Sequence, residues 1–126
     1  MLYRKMLKSK IHRACITHAN LDYEGSITIA SDLLAIANIL PNEAVCIWNV
    51  STGTRFETYT IAGSEASKNI CVNGAAAHLV TPGDIVIIAS FCHLDNAQCD
   101  THKPRIIFLS ATNSYHETRD ELLGAI

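Results

Sequence analysis

The chain has 126 residues, of which 48% are hydrophobic and 17% are charged, and its formal net charge is -2. This length predicts a single domain, residues 1–126, whose core needs neither disulfides nor a structural metal. The small net charge argues against binding of nucleic acid through a basic patch, and no apolar run is long enough to cross a membrane as a helix.

The first half of the chain predicts four short strands and one helix. Apolar patterning indicates the strands at 10–17, 26–29, 43–50 and 55–61. Residues 19–25 read as a turn-rich connection between the first two strands. Ser31-Asp32 suits a helix N-cap, and Asn38 followed by Pro41 ends that helix, because proline cannot continue the hydrogen-bond ladder.

The second half predicts more strands, joined by tight turns. These strands are 69–72, 85–91 and 105–109. Asn73-Gly74 is a strong turn signal, and residues 75–79 suit a single helical turn. Residues 95–102 are polar and irregular, and the chain from 113 onward is expected to fray or form a short helix. Many short strands with one clear helix favour a small β-barrel.

The cysteines and the N-terminal segment indicate a cytoplasmic protein. The N-terminal segment is basic and lacks the apolar stretch of a secretory signal. The five cysteines form no Cys-x-x-Cys motif, so we expect reduced, mostly buried thiols. Cys92-His93 and Cys99-x-x-His102 lie near each other in sequence, but no further pair completes a zinc set. They are also weak grounds for a thiol hydrolase.

The Gly25-Ser26 dipeptide permits an unusual reaction of the main chain. A serine hydroxyl can attack the preceding carbonyl if that peptide bond is strained and a donor stabilises the oxyanion. Glycine leaves the backbone room for such a conformation. The resulting ester can eliminate to dehydroalanine, which hydrolyses to a pyruvoyl group and ammonia. Taken alone, however, a Gly-Ser pair is more typical of an exposed turn.

Two downstream motifs carry further candidate site residues. In Arg55-Phe-Glu-Thr58-Tyr59, a regular strand projects Arg55 and Tyr59 to one face and Thr58 to the other, although a twist or bulge would let all three reach one site. Arginine suits a planar carboxylate. In Asn73-Gly-Ala-Ala-Ala77, small side chains let a ligand approach backbone N–H groups. Alone, each motif is also typical of an ordinary strand or turn.

Together and in this order, the three segments resemble the family of pyruvoyl-dependent aspartate 1-decarboxylases, over roughly the first three quarters of the chain. The resemblance implies a mainly β fold, a small six-stranded double-psi β-barrel with one or two short helices. It implies self-cleavage between Gly25 and Ser26 into a β chain, 1–25, and an α chain, 26–126. Ser26 would become a covalent pyruvoyl cofactor, and no metal is expected.

The resemblance also implies roles for the site residues. During self-cleavage, Thr58 would donate to the scissile carbonyl and Asn73 would lie near the bond. The pyruvoyl group from Ser26 would form a Schiff base with the substrate amine, and Tyr59 would protonate the carbanion left when CO2 departs. Residues expected to bind the substrate are Lys10, Arg55, Thr58, Gly74, Ala75 and Ala76. Residues expected to line the site are His12, Tyr23 and Trp48.

The implied function is decarboxylation of L-aspartate to β-alanine and CO2, which supplies pantothenate and coenzyme A synthesis. Two cations, Arg55 and Lys10, suit a dicarboxylate better than another amino acid. The resemblance implies a homotetramer with active sites between subunits, and it leaves open a maturation helper protein. The alternatives are a pyruvoyl decarboxylase for another amino acid, and a non-enzymatic double-psi barrel for binding or assembly with the Gly25-Ser26 bond uncleaved.

Overall fold

The computed structural model of the chain describes residues 1–124, which form nine strands and three short helical segments. The strands are β1 (Tyr3–Cys15), β2 (His18–Asn20), β3 (Ile27–Ala30), β4 (Ala44–Asn49), β5 (Arg55–Gly63), β6 (Cys71–Asn73), β7 (Ile85–Asp95), β8 (Arg105–Leu109) and β9 (Tyr115–Thr118). The helical segments are α1 (Ser31–Ala37), a 3-10 helix (Gly74–Leu79) and α2 (Asn96–Cys99). Within residues 1–124, no helix is long and apolar enough to span a membrane.

All nine strands belong to one mixed sheet in the order β2-β6-β3-β5-β4-β7-β1-β8-β9. β3 runs parallel to β5 and antiparallel to β6, while β1 runs antiparallel to β7 and parallel to β8. The predicted class, a small mainly β domain with few short helices, is confirmed. The six strands of a double-psi barrel remain an implication of the family resemblance.

The core consists mainly of β-branched side chains, which suit pleated strands. Ile27 and Ile29 on β3 and Ile47 on β4 are fully buried, and burial of one such side chain contributes about 1.5–3 kcal/mol. Along β5, the predicted alternation is confirmed, since Thr60 is buried and Arg55 and Tyr59 are exposed. Because Ile27 and Ile29 are fixed in this core, the main chain directly after Ser26 is held in position.

Several elements differ from their predicted bounds, and long-range pairing is the reason. β1 begins at Tyr3 rather than residue 10, because Tyr3 pairs with Asp95 at the far end of β7. β2 lies partly in the segment predicted as a turn, where it pairs with β6. β9 lies where fraying or a helix was expected, because it pairs with β8.

The predicted helix α1 is present, with its start shifted by one residue. Its N-cap is Ala30, which makes no side-chain capping bond. The Asp32 carboxylate instead accepts a hydrogen bond from the Ala66 N–H at 2.9 Å. The helix ends as predicted at Asn38, which adopts the left-handed conformation with φ 59°.

Candidate active site

Ser26 is both strained and buried. It precedes β3, its φ is +96°, and only 1% of its surface is exposed. A residue with a Cβ rarely adopts this φ, at a cost of about 1–3 kcal/mol. Its hydroxyl has no hydrogen-bond partner among residues 1–124, which costs about 1–3 kcal/mol more. A candidate nucleophile is thus held unpaired at the predicted cleavage position.

Asn73 fixes the main chain on the C-terminal side of that bond. Its N–H donates to the Ser26 carbonyl oxygen at 2.9 Å. The contact follows from the antiparallel pairing of β3 with β6, which sets Ile27 against Val72 and therefore Ser26 against Asn73. The prediction that Asn73 lies near the bond thus agrees with this geometry.

Gly74 packs against the N-terminal side of the same bond. A Cβ on Gly74 would lie 2.9 Å from both the Cα and the N of Gly25, and 3.1 Å from the Tyr23 carbonyl oxygen. Its φ of +69° also favours glycine. Only a residue without a side chain fits here, and in the intact chain residues 23–25 cover this part of the predicted substrate surface.

Tyr59 reaches the bond from the neighbouring strand. A Cβ on Gly25 would lie 3.8 Å from the Tyr59 hydroxyl oxygen. Tyr59 as a whole is 42% exposed. Thr58 is half-buried on the opposite face of β5, and the β4–β5 pairing runs without a register shift. The bulge that would carry both side chains to one face is therefore not seen in this pairing.

Arg55 and Trp48 lie together at the far end of β5. They are paired across β4 and β5, and the Arg55 guanidinium carbon is 4.6 Å from the centre of the Trp48 ring. Such a cation–π contact contributes about 0.5–1 kcal/mol at an exposed site. Four residues of strand, about 13 Å, separate Arg55 from Tyr59 along β5.

Lys10 and His12 form a third group, on β1 beneath the C-terminal segment. The Lys10 ammonium lies 2.7 Å from the Glu121 carboxylate, and the two side chains are 12% and 50% exposed. His12 packs on Phe108, with ring centres 5.2 Å apart. Burial lowers the pKa of His12, and the charge of Lys10 is the second cause of this shift. Lys10, predicted to bind substrate, is here neutralised by a carboxylate of its own chain.

Within one chain, the predicted site residues therefore occupy three places. The group at the scissile bond is Gly25, Ser26, Tyr59, Asn73 and Gly74, with the Tyr23 main chain beside it. Ala75 and Ala76 follow in the 3-10 helix, exposed and half-buried respectively. Arg55 with Trp48, and Lys10 with His12, lie elsewhere on the sheet, and Thr58 lies half-buried on the face of β5 opposite Tyr59.

Three residues at these places were missed by the sequence reasoning. Thr28 and Cys71 hydrogen-bond the side chain of Asn73, and Glu121 pairs with Lys10. Thr28 lies two positions after Ser26, and Cys71 lies two positions before Asn73. This spacing places strand residues on one face. Nothing in the sequence indicates the path of the C-terminal segment that brings Glu121 to Lys10.

The histidine–cysteine pairs assemble no metal site within residues 1–124, where no three His, Cys, Asp or Glu side chains come close enough to hold an ion. His102 instead bonds the Leu7 carbonyl through its Nε2 at 2.6 Å. The five cysteines are free thiols, and they are half-buried rather than mostly buried as predicted.

Comparison with known proteins gives consistent matches. The family model described as aspartate decarboxylase matches residues 2–116. A Legionella pneumophila (strain Paris) protein named aspartate 1-decarboxylase is 62% identical over 124 residues, which cover 98% of this chain and 93% of the relative. A Rhodopirellula baltica protein of the same name is 49% identical over 122 residues, which cover 97% and 78%. A third, from Syntrophotalea carbinolica, is 56% identical over 110 residues, covering 87% and 84%.

These matches extend the resemblance beyond the three motifs to most of the chain. Each relative bears the name of an enzyme, which does not favour the non-enzymatic barrel. Residues such as Glu121 lie past the end of the family match. Both the family match and the extent of these identities lead to one conclusion: the chain belongs to the aspartate decarboxylase family of enzymes.

Proposed function

We propose that this chain converts L-aspartate to β-alanine and CO2, using a pyruvoyl group made from its own Ser26. The observation that carries the proposal is the buried, unpaired hydroxyl of Ser26 on a backbone with φ +96°. The family match and the names of the relatives support aspartate as the substrate. The product would supply pantothenate and coenzyme A synthesis in the cytoplasm.

The cofactor would form by a rearrangement of the main chain. The Ser26 hydroxyl oxygen attacks the Gly25 carbonyl carbon, the C–N bond breaks, and the hydroxyl proton passes to the released amine. The resulting ester loses the Ser26 Cα proton while its Cβ–O bond breaks, and residues 1–25 leave with a carboxylate terminus. Water then replaces the nitrogen of the dehydroalanine, which yields the pyruvoyl group and ammonia. Strain at Ser26, worth about 1–3 kcal/mol, favours the first step.

Two residues are proposed to assist the attack. Ile27 pairs with Thr60 in the parallel β3–β5 ladder, so the start of β3 lies beside the part of β5 that carries Thr58. The Thr58 hydroxyl is proposed to donate to the Gly25 carbonyl, where negative charge develops; this requires the Thr58 side chain or the scissile segment to turn toward the other. Asn73 anchors the other side of the bond through the Ser26 carbonyl. The scissile bond would thus be fixed on one side and polarised on the other.

The residues around Ser26 suit the pyruvoyl group. Once formed, that group supplies an electron sink for the electron pair released as CO2 departs. The Tyr59 hydroxyl lies beside Gly25 and is proposed to return a proton to the α-carbon. After cleavage, residues 23–25 are free to leave Gly74, which opens the small-residue turn to substrate.

The two candidate cations are proposed to bind the substrate carboxylates. Within one chain, Arg55 lies about 13 Å along β5 from Tyr59, and Lys10 is paired with Glu121. A second subunit is therefore proposed to complete the site, as in the homotetramer that the resemblance implies. Light scattering coupled to gel filtration tests the assembly, and a monomer with full activity would contradict it.

A substrate panel tests the reaction. The processed protein should release β-alanine and CO2 from L-aspartate and turn over glutamate far more slowly, while Ser26→Ala should release neither product. A cleaved protein that prefers another amino acid would refute aspartate as the substrate. An active Ser26→Ala variant would refute the pyruvoyl mechanism.

A further inference from the structure

Both polar atoms of the Asn73 side chain, Oδ1 and Nδ2, form hydrogen bonds. Asn73 is only 5% exposed, and its Oδ1 accepts a hydrogen bond from the Cys71 thiol at 3.0 Å. Its Nδ2 donates to the Thr28 hydroxyl at 3.2 Å. In this orientation the amide suits both neighbours, because a thiol can donate to its Oδ1 and a hydroxyl can accept from its Nδ2.

The β3–β6 ladder explains how these three side chains meet. Thr28 and Cys71 are directly opposite each other in the antiparallel pair. Asn73 is two residues after Cys71 and therefore shares its face of the strand. Opposite and diagonal neighbours on one face are close enough to bond. Thr28 is also two residues after Ser26, so this row of side chains adjoins the scissile bond.

The thiol is in the protonated form that this bond needs. Burial raises the pKa of the Cys71 thiol above its ordinary value. A thiolate would have no proton to donate and would repel the amide oxygen of Asn73. The thiol therefore acts here as a hydrogen-bond donor rather than as a nucleophile.

Asn73 connects this row to both sides of the bond that is proposed to break. Its own N–H binds the carbonyl of Ser26, and the next residue, Gly74, packs on Gly25. A rotation of Asn73 would shift both contacts, because one main-chain segment carries them. The two side-chain bonds of Asn73 thus anchor the main-chain segment that contacts both sides of the Gly25–Ser26 bond.

We propose that Cys71 and Thr28 are positioning residues for self-cleavage, which hold the Asn73 amide and thereby keep the Gly25–Ser26 bond in its strained conformation. This inference rests on the proposed self-cleavage and adds two residues to it. Neither residue contacts the reacting atoms in the proposal. Their effect is transmitted through Asn73.

Cleavage kinetics provide the first test. The chain is made by cell-free synthesis, and intact masses are recorded over time. Cys71→Ala and Thr28→Val should each slow cleavage about two- to tenfold, the effect of one hydrogen bond. Cys71→Ser and Thr28→Ser each retain a polar hydrogen that can bond Asn73 and should keep most of the rate. Cys15→Ala removes another half-buried thiol, one with no bond to Asn73, and should cleave normally.

A double-mutant cycle separates positioning from general stability. In an Asn73→Ala background, Cys71→Ala and Thr28→Val should cause no further slowing, because the side chain they hold is gone. The inference is overturned if both single variants cleave at the rate of the parent chain. It is equally overturned if their effects add in full to that of Asn73→Ala.

A measurement that needs no cleavage distinguishes this inference from the proposed function. In the Ser26→Ala chain, which stays intact, NMR should show slow hydrogen exchange of the Asn73 side-chain amide, and Cys71→Ala should accelerate it. Unchanged exchange would overturn the positioning role. A parent chain that never cleaves would instead refute the proposed function, and the exchange data would still decide whether Asn73 is held.

Discussion

Gly74 lies so close to Gly25 that a Cβ on Gly74 would come within 2.9 Å of the Gly25 Cα and N atoms. One residue therefore serves two states of the proposed enzyme. Before cleavage, it is the surface against which the scissile segment packs. After cleavage, it would become part of the substrate surface that the family resemblance assigns to it.

Replacing Gly74 by alanine should disrupt cleavage. Alanine adds the clash with Gly25 to the cost of a left-handed backbone, about 1–2 kcal/mol. Gly53→Ala is the matched control, since Gly53 has φ 82° and no atom within 4 Å of the added Cβ. Both variants should lose stability in thermal unfolding, but only Gly74→Ala should be cleaved slowly or not at all. Equal cleavage of the two variants would contradict the role of this contact.

Tyr59→Phe should be cleaved normally and yet lose decarboxylation. The substitution removes only the hydroxyl that is proposed to deliver the proton, so kcat should fall about 100-fold or more. Tyr115→Phe is the control, because Tyr115 is similarly exposed, at 43%, and its hydroxyl bonds Thr118 on β9. Steady-state rates with L-aspartate measure the effect. Full turnover by Tyr59→Phe would show that the Tyr59 hydroxyl is not the proton donor.

Glu121→Gln should tighten the binding of aspartate. If Lys10 binds a substrate carboxylate, Glu121 competes for it, and an ion pair of this exposure contributes about 0.2–1 kcal/mol. KM should therefore fall by up to about fivefold, with kcat unchanged. Glu117→Gln breaks the neighbouring pair with Arg119 and should leave KM as it is. A KM that Glu121→Gln leaves unchanged or raises would contradict the competition.

His12 should make the fold less stable in acid. Its pKa in the folded chain is lowered from 6.5, mainly by burial and next by the charge of Lys10. Arg13 and Arg119 also lower this pKa, and Glu121 raises it. The unfolded chain therefore takes up a proton that the folded chain resists. The stabilisation is complete above pH 6.5 and is lost as the pH falls through the lowered pKa. Thermal unfolding between about pH 5 and pH 8 should show a weaker pH dependence for His12→Gln. If His12→Gln leaves the slope of melting temperature against pH unchanged, His12 is not a source of this acid sensitivity.

The sequence was most informative where chemistry restricts residue types. Gly25-Ser26 and the turn at Asn73 were singled out because, together with the Arg55–Tyr59 motif, they resemble the family, and these residues do meet in the structure. The separation of Thr58 and Tyr59 onto two faces of β5 also followed from simple alternation. The fold class followed from the frequency of short strands and turns.

Long-range features were not accessible in the same way. β1 extends to Tyr3 only because β7 extends to Asp95, and neither segment carries a clear apolar alternation. The pairing of Lys10 with Glu121 joins residues at opposite ends of the chain. The Asn73–Cys71–Thr28 row depends on the register of β3 with β6, which a slip of one residue would abolish.

An intact mass spectrum of the purified protein under denaturing conditions tests the central claim most directly. We predict two masses, those of residues 1–25 and of residues 26–126 with a pyruvoyl group in place of Ser26. Ser26→Ala should give one full-length mass. A full-length mass for the parent chain that persists after prolonged warming and after incubation with cell extract would contradict the account.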